Sequence, residues 1–260
     1  MNKGMNMFDF NDGNGPVPAH RHQNGDGWVA DTASVAETAY VGPDAMVFGN
    51  AKVTGDAMVF GNAKVYGNVW VAGNAKVFGN ALVTGNAQVA GNAMVFGDVW
   101  VTGNAWVFGN AKVSGNAQVY SNAKVSGNAQ ISGNAQVAGN AKVYDNAWVA
   151  DNAWVSGNAQ VYGTTWVSGD AKVFGDAKVY GNARVAGNVM VYDNASVVGN
   201  ARVYGTTWVY GDAQVYGDAI VSGDAQVSGN AKVTGNAKVS GTTWVYGDAK
   251  AYGDAQVSGR

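Results

Sequence analysis

The sequence predicts an all-β solenoid of short strands, and three observations lead there. Counted from Val29, valine returns every six residues to Val257, with Ile131 and Ala251 as the only departures, through 39 hexads without insertion or deletion. Alanine stands two residues before each of these positions, replaced only by Gly27, by Val69, Val99 and Val189, or by Thr165, Thr207 and Thr243. Gly-Asn or Gly-Asp joins most hexads. The A-x-V-x unit reads as a strand whose alanine and valine share one face, since alternate side chains of a strand point to opposite sides. Lys, Gln, Ser and aromatic residues vary on the other face. Glycine bends at no steric cost, and Asn or Asp is expected to tolerate the left-handed region beside it. A single hexad has almost nothing to bury, so the strands must stack around a continuous valine core.

Residues 1–27 stand outside this rhythm and form a predicted N-terminal cap segment, with the repeat domain spanning 28–260. The opening MNKGMNMFDF lacks the apolar core of a secretory signal, but Met5, Met7, Phe8 and Phe10 are apolar enough to fold over the first turn. The first hexads, VADTAS, VAETAY and VGPDAM, are atypical, as terminal repeats commonly are. From there GNAxV runs on with three exceptions, GTTWV at 163–167, 205–209 and 241–245. A β-branched residue is awkward in a left-handed corner, so Thr164, Thr206 and Thr242 predict a different turn that could re-aim Trp166, Trp208 and Trp244. Ala251 replaces a core valine and is expected to weaken the last turns, which show no cap comparable to the first.

Composition narrows the function. The chain has 260 residues, no cysteine and a formal net charge of −2. Disulfides and cysteine-held metals are thereby excluded. Without basic runs, nucleic acid and anionic membrane surfaces are poor partners. No apolar run approaches the length of a membrane span, so a soluble protein is expected, with no compartment encoded.

The unbroken six-residue period over 28–258 resembles the hexapeptide-repeat family, whose fold is the left-handed parallel β-helix. The segment DFNDGNGPVPAHRHQNGDGWVADTA followed by GNA hexads is similar to GNAxV-repeat proteins of bacteria and phages, some of them labelled acetyltransferases. The resemblance implies a triangular turn of three hexads, or 18 residues, and about 13 turns in all. It also implies association into trimers packed side by side. An end-to-end assembly is the other homo-oligomer expected.

With 18 residues per turn, outward residues fall into columns. One face carries Trp28, Trp100, Trp154, Trp208 and Trp244, with Met, Leu, Lys and Gln between them. Its companion column carries Phe48, Tyr66, Tyr120, Phe174, Tyr192, Tyr210 and Tyr246. These twelve residues form the candidate contact surface, because monomers seldom display so long an apolar stripe. Another face stacks Phe60, Phe78 and Phe96, then Trp148 over Trp166, and the third stacks Tyr144, Tyr162 and Tyr180. The plainer reading of these ladders is mutual support between like side chains on neighbouring strands. A third reading is stacking against the sugar rings of a glycan.

Acyltransferases and γ-type carbonic anhydrases give the family its known activities. The acyltransferases use a histidine base on a turn, a protruding loop and a C-terminal helix, and the anhydrases use three zinc histidines. Here the only histidines, His20 and His22, precede the repeats, and no loop is extruded. No catalytic residue, cofactor or metal ligand is therefore assigned, and the chain is read as a non-enzymatic structural or binding solenoid. An acetyl-CoA-dependent acyltransferase with an unrecognised site is the runner-up. Two histidines on alternate residues are too few for a zinc site. An ice-binding rod would need sustained threonine pairs on one flat face, which the sequence lacks.

Overall fold

The computed structural model describes residues 6–259. Met5 lies outside them, and so does Arg260 at the end of the repeat domain. The chain divides into two compact units, Met1–Asn122 and Ala123–Arg260, and each is built in the same way. Every described element is a β-strand, and each turn of the parallel solenoid takes 18 residues and contributes three strands. In chain order this amounts to about 13 turns.

Each strand pairs with the strand one turn on, in strict register. In the first unit, for example, Val47 faces Val65 and Val65 faces Val83. In the second unit Val155 faces Val173, which faces Val191. Most strands are two residues long, such as Lys112–Val113 and Trp154–Val155, shorter than the four-residue A-x-V-x unit. The alanine and the residue after valine mostly belong to the corners instead. Those alanines are nevertheless inside: Ala and Val of nearly every hexad are fully buried, from Ala39 and Val41 through Ala237 and Val239. Burying a valine side chain is worth about 1.5–3 kcal/mol relative to leaving it in water, and stacking is what buries it.

The corners hold a division of labour that the dipeptides alone do not show. The left-handed conformation falls on glycine, as at Gly163 and Gly205 with φ of +80° and +85°. The asparagine after it stays in the ordinary region, contrary to the expectation that both share the bend. Its side chain does something else: where Asn or Asp stands one turn on, the amide typically donates to that side chain. In the first unit Asn50 donates to Asn68, Asn68 to Asn86 and Asn86 to Asn104, at 3.2, 3.1 and 2.9 Å. In the second unit such runs end on carboxylates, as Asn158 on Asp176 and Asn194 on Asp212. A carboxylate accepts but cannot donate, so it closes a run where it stands. Where glycine is replaced, Asp145, Asp151 and Asp193 themselves take φ near +60°. Their second carboxylate oxygens accept the N–H of Gly163, Gly169 and Gly211 one turn on.

The threonine corners keep the glycine bend, with Gly241 at φ +70°, so the backbone there does not abandon the left-handed step. What differs is the inner residue. Thr165, Thr207 and Thr243 are buried where alanine would be. Their hydroxyls donate to the carbonyls of Tyr162, Tyr204 and Ser240, at 2.7, 2.7 and 2.6 Å.

At the N-terminus β1 (Met7–Phe8) and β2 (Val17–Arg21) form an antiparallel pair. β2 in turn runs antiparallel to β3 (Trp28–Ala30), the first repeat strand, with His20 opposite Val29. The free edge of β3 is thus occupied, and a two-residue β1 leaves little edge exposed beyond it. Phe10, fully buried, stacks on Phe48 with ring centroids 4.7 Å apart, and Phe8 stacks on Trp28 at 4.1 Å. Met7 remains exposed.

Candidate functional site

The candidate surface divides between the two units. In the first unit the structure removes two of its members. Phe48 is only 4% exposed, because Phe10 covers its ring face. Trp28 is half-buried beneath Phe8, with the Arg21 guanidinium 4.3 Å from its ring centroid. Their place in the column makes both outward residues, and both do point outward from the repeats. The N-terminal segment lies over them, and its path is not legible from the period. Tyr66 stacks on Phe48 at 4.6 Å and is half-buried, as is Tyr120. Trp100 stands clear at 52% exposure.

In the second unit the column is continuous. Strand register places Trp154 beside Lys172, Lys172 beside Met190, Met190 beside Trp208, and Trp208 beside Gln226 and then Trp244. Trp154 and Trp208 are 41% and 37% exposed although neighbouring turns flank them on both sides. Trp244 and Tyr246 are more exposed still, and they lie on and just after Trp244–Val245, the last described strand of this sheet. In the companion column Phe174, Tyr192 and Tyr210 stack at 5.0 Å with planes within 3°. Both faces of Tyr192 are covered in this stack, as is one face each of Phe174 and Tyr210. Burial and the neighbouring Tyr210 and Asp193 push the Tyr192 phenol above its ordinary pKa.

The other ladders form as the columns predict. Phe60, Phe78 and Phe96 stack at 4.7 and 4.9 Å, and Tyr144, Tyr162 and Tyr180 at 4.7 and 4.8 Å. Trp148 and Trp166 meet edge to face at 4.6 Å, with planes 64° apart. Two further indoles of the first unit, Trp70 and Trp106, are exposed, and the candidate surface drawn from the sequence omits them. The Nε1 of Trp70 donates to the hydroxyl of Thr54, and that of Trp148 to Ser132, in each case 16 residues back. The spacing alone does not signal the bond, since Thr84 and Ser228 stand at the same offset from Trp100 and Trp244, the two most exposed indoles of the candidate surface.

The two histidines do not converge. His20 is exposed, its Nδ1 2.9 Å from a carboxylate oxygen of Asp31. His22 lies past the end of β2, buried, with Nδ1 3.2 Å from the Asn24 carbonyl. Among the described residues no group of three or more His, Cys, Asp or Glu could hold a metal ion. Among them too, no helix is long and apolar enough to cross a membrane.

Comparison with known proteins adds the repeat type. Residues 87–103, 177–193, 213–229 and 225–241 match the YdcK beta solenoid repeat. No curated protein matches the chain. Among solved structures it is similar to the UDP-N-acetylglucosamine acyltransferase of Campylobacter jejuni, at 17% identity over 71% of this chain and 68% of that one, TM-score 0.30. The corresponding enzyme of Francisella novicida shows 15% identity over 75% and 68%, TM-score 0.30. That of Arabidopsis shows 15% over 84% and 73%, TM-score 0.28. Scores this low carry no argument about activity. Stretches of both units thus match the YdcK beta solenoid repeat, and both units are parallel β-solenoids with 18 residues per turn.

Proposed function

We propose that this protein is a non-enzymatic β-solenoid whose aromatic-bearing face associates with a second copy of itself. The observation that carries the reading is the column of the second unit, where Trp154 and Trp208, three turns apart, keep their indoles 41% and 37% exposed. An indole at about 40% exposure leaves considerable apolar area wet, and burial against a partner recovers it at about 25 cal/mol per Å². The face repeats once per turn, and a surface with that same repeat is found on another copy of the face. The interior supports the same reading, since it is filled with alanine and valine. The buried polar side chains, His22, Thr165, Thr207 and Thr243, each make a hydrogen bond within the fold.

Sedimentation equilibrium of the full chain tests the proposal. A concentration-dependent oligomer is expected, shifting to monomer in a Trp154→Ser, Trp208→Ser double variant that still melts cooperatively. A wild-type chain that stays monomeric at high concentration would sink the self-association reading. Tight binding of coenzyme A in a calorimeter would overturn the non-enzymatic one.

A further inference from the structure

The tyrosine ladder of the second unit breaks off and then resumes. Tyr144, Tyr162 and Tyr180 stack one per turn at 4.7 and 4.8 Å, with planes within 4° and 2°. The next position in the column, paired in register with Tyr180, is Val198. One further turn of 18 residues brings Tyr216. A rung is therefore missing between two phenol rings. The gap is an open cleft of about 260 Å³, lined by Tyr180, Ser196, Val198, Gln214 and Tyr216. Ser196 faces Gln214 across the strands, so one side of the cleft is polar.

The dimensions select an occupant. Two turns at about 4.8 Å put the Tyr180 and Tyr216 positions about 9.6 Å apart. A flat ring midway would lie about 4.8 Å from each, inside the range in which aromatic pairs attract. Its plane would continue that of the ladder below it, and Val198 would form the floor. A saturated ring is thicker and presents no π-face to either wall. The Ser196 hydroxyl and Gln214 amide can exchange hydrogen bonds with a polar substituent on the ring edge. We infer that this cleft is a binding slot for a small planar aromatic ligand bearing a hydrogen-bonding group, seated as the missing rung of the ladder. The slot lies on a different column from the tryptophan face and does not depend on self-association.

The test uses the full chain and p-cresol as the probe, with binding read by ligand-observed saturation-transfer NMR. Saturable binding in the millimolar range is expected for so small a ligand. Cyclohexylmethanol, of similar size but not planar, should give no saturable signal. Val198→Tyr supplies the missing ring from the chain itself and should weaken p-cresol binding at least about tenfold while the melting midpoint holds or rises. Tyr216→Ala removes one wall and should weaken it comparably, which decides the matter if Val198→Tyr does not fold. Ser228→Tyr fills the other interrupted position, between Tyr210 and Tyr246, which has the same spacing; the Val198→Tyr and Tyr216→Ala comparisons are therefore repeated in that background, where saturable binding should persist. The slot is overturned if p-cresol shows no saturable binding, or if cyclohexylmethanol binds equally well. It is also overturned if Val198→Tyr binds like wild type, or if Ser228→Tyr abolishes the signal.

Discussion

The hydroxyl of Thr207 donates to the main-chain carbonyl of Tyr204, three residues back across the corner, at 2.7 Å. Thr207 is fully buried, so this bond is made where water cannot replace its donor. Thr165 and Thr243 repeat it. Thr207→Val keeps the shape and deletes the donor, and should cost about 1 kcal/mol, the usual net value of such a bond. Chemical denaturation would check it; an unchanged midpoint would mean that the methyl alone explains threonine here.

Gly205 combines φ of +85° with a stacked neighbour so close that an added Cβ would sit 2.6 Å from the Gly223 carbonyl oxygen. Gly205→Ala should lose roughly 2 kcal/mol or more, from the left-handed penalty of about 1–2 kcal/mol plus the clash. Gly247→Ala shares the positive φ but meets nothing within 4 Å, and so isolates the first part. Equal losses in the two variants would show that crowding between corners is not felt.

Asn194 sits one turn beyond Asp176 and donates to Asp212 at 3.0 Å. Asn194→Asp replaces the donor with a third carboxylate in the same column. A loss of about 1 kcal/mol is expected at neutral pH, smaller in high salt and smaller again when acid restores a proton to the cluster. A loss indifferent to salt and pH would argue that hydrogen-bond geometry, not charge, governs the corner columns.

The tyrosine ladder should make the fold sensitive to alkali. Burial raises the pKa of Tyr144 and Tyr162 above the ordinary 10.0 of a phenol, with Asp145 adding to both and the flanking tyrosines adding to Tyr162. A raised folded pKa means the folded chain holds its phenol protons more tightly than the unfolded one. The stability so contributed is complete below pH 10.0 and is lost as pH rises through the higher folded values. A Tyr144→Phe, Tyr162→Phe variant should lose less stability than wild type between neutral and strongly alkaline pH. Parallel pH curves for the two proteins would refute this.

Ile131 is the one core position where isoleucine replaces valine, and it is fully buried. Ile131→Val restores the repeat yet should destabilise the second unit by about 1 kcal/mol, because the neighbouring turns are packed around the extra methylene. A neutral result in thermal melts would show that the turns close up around the smaller side chain.

The sequence by itself determined the strand positions, the Ala and Val interior and the pairing of residues 18 apart. A period without insertions leaves one register, and each column follows from it: Phe60 over Phe78, Trp148 beside Trp166. Tertiary structure decided what covers or fills those columns. Phe48 and Trp28 match their column in every respect that sequence can report, yet Phe8 and Phe10 bury or half-bury them, because residues outside the repeat carry no phase that fixes their path. The corner asparagines look like turn formers until the stacked turns bring their amides within hydrogen-bond reach of one another. The interruption at Val198 is visible in the sequence as a smaller residue. That it becomes a cleft lined by Tyr180 and Tyr216 depends on the strict register of stacked turns, which only the fold produces.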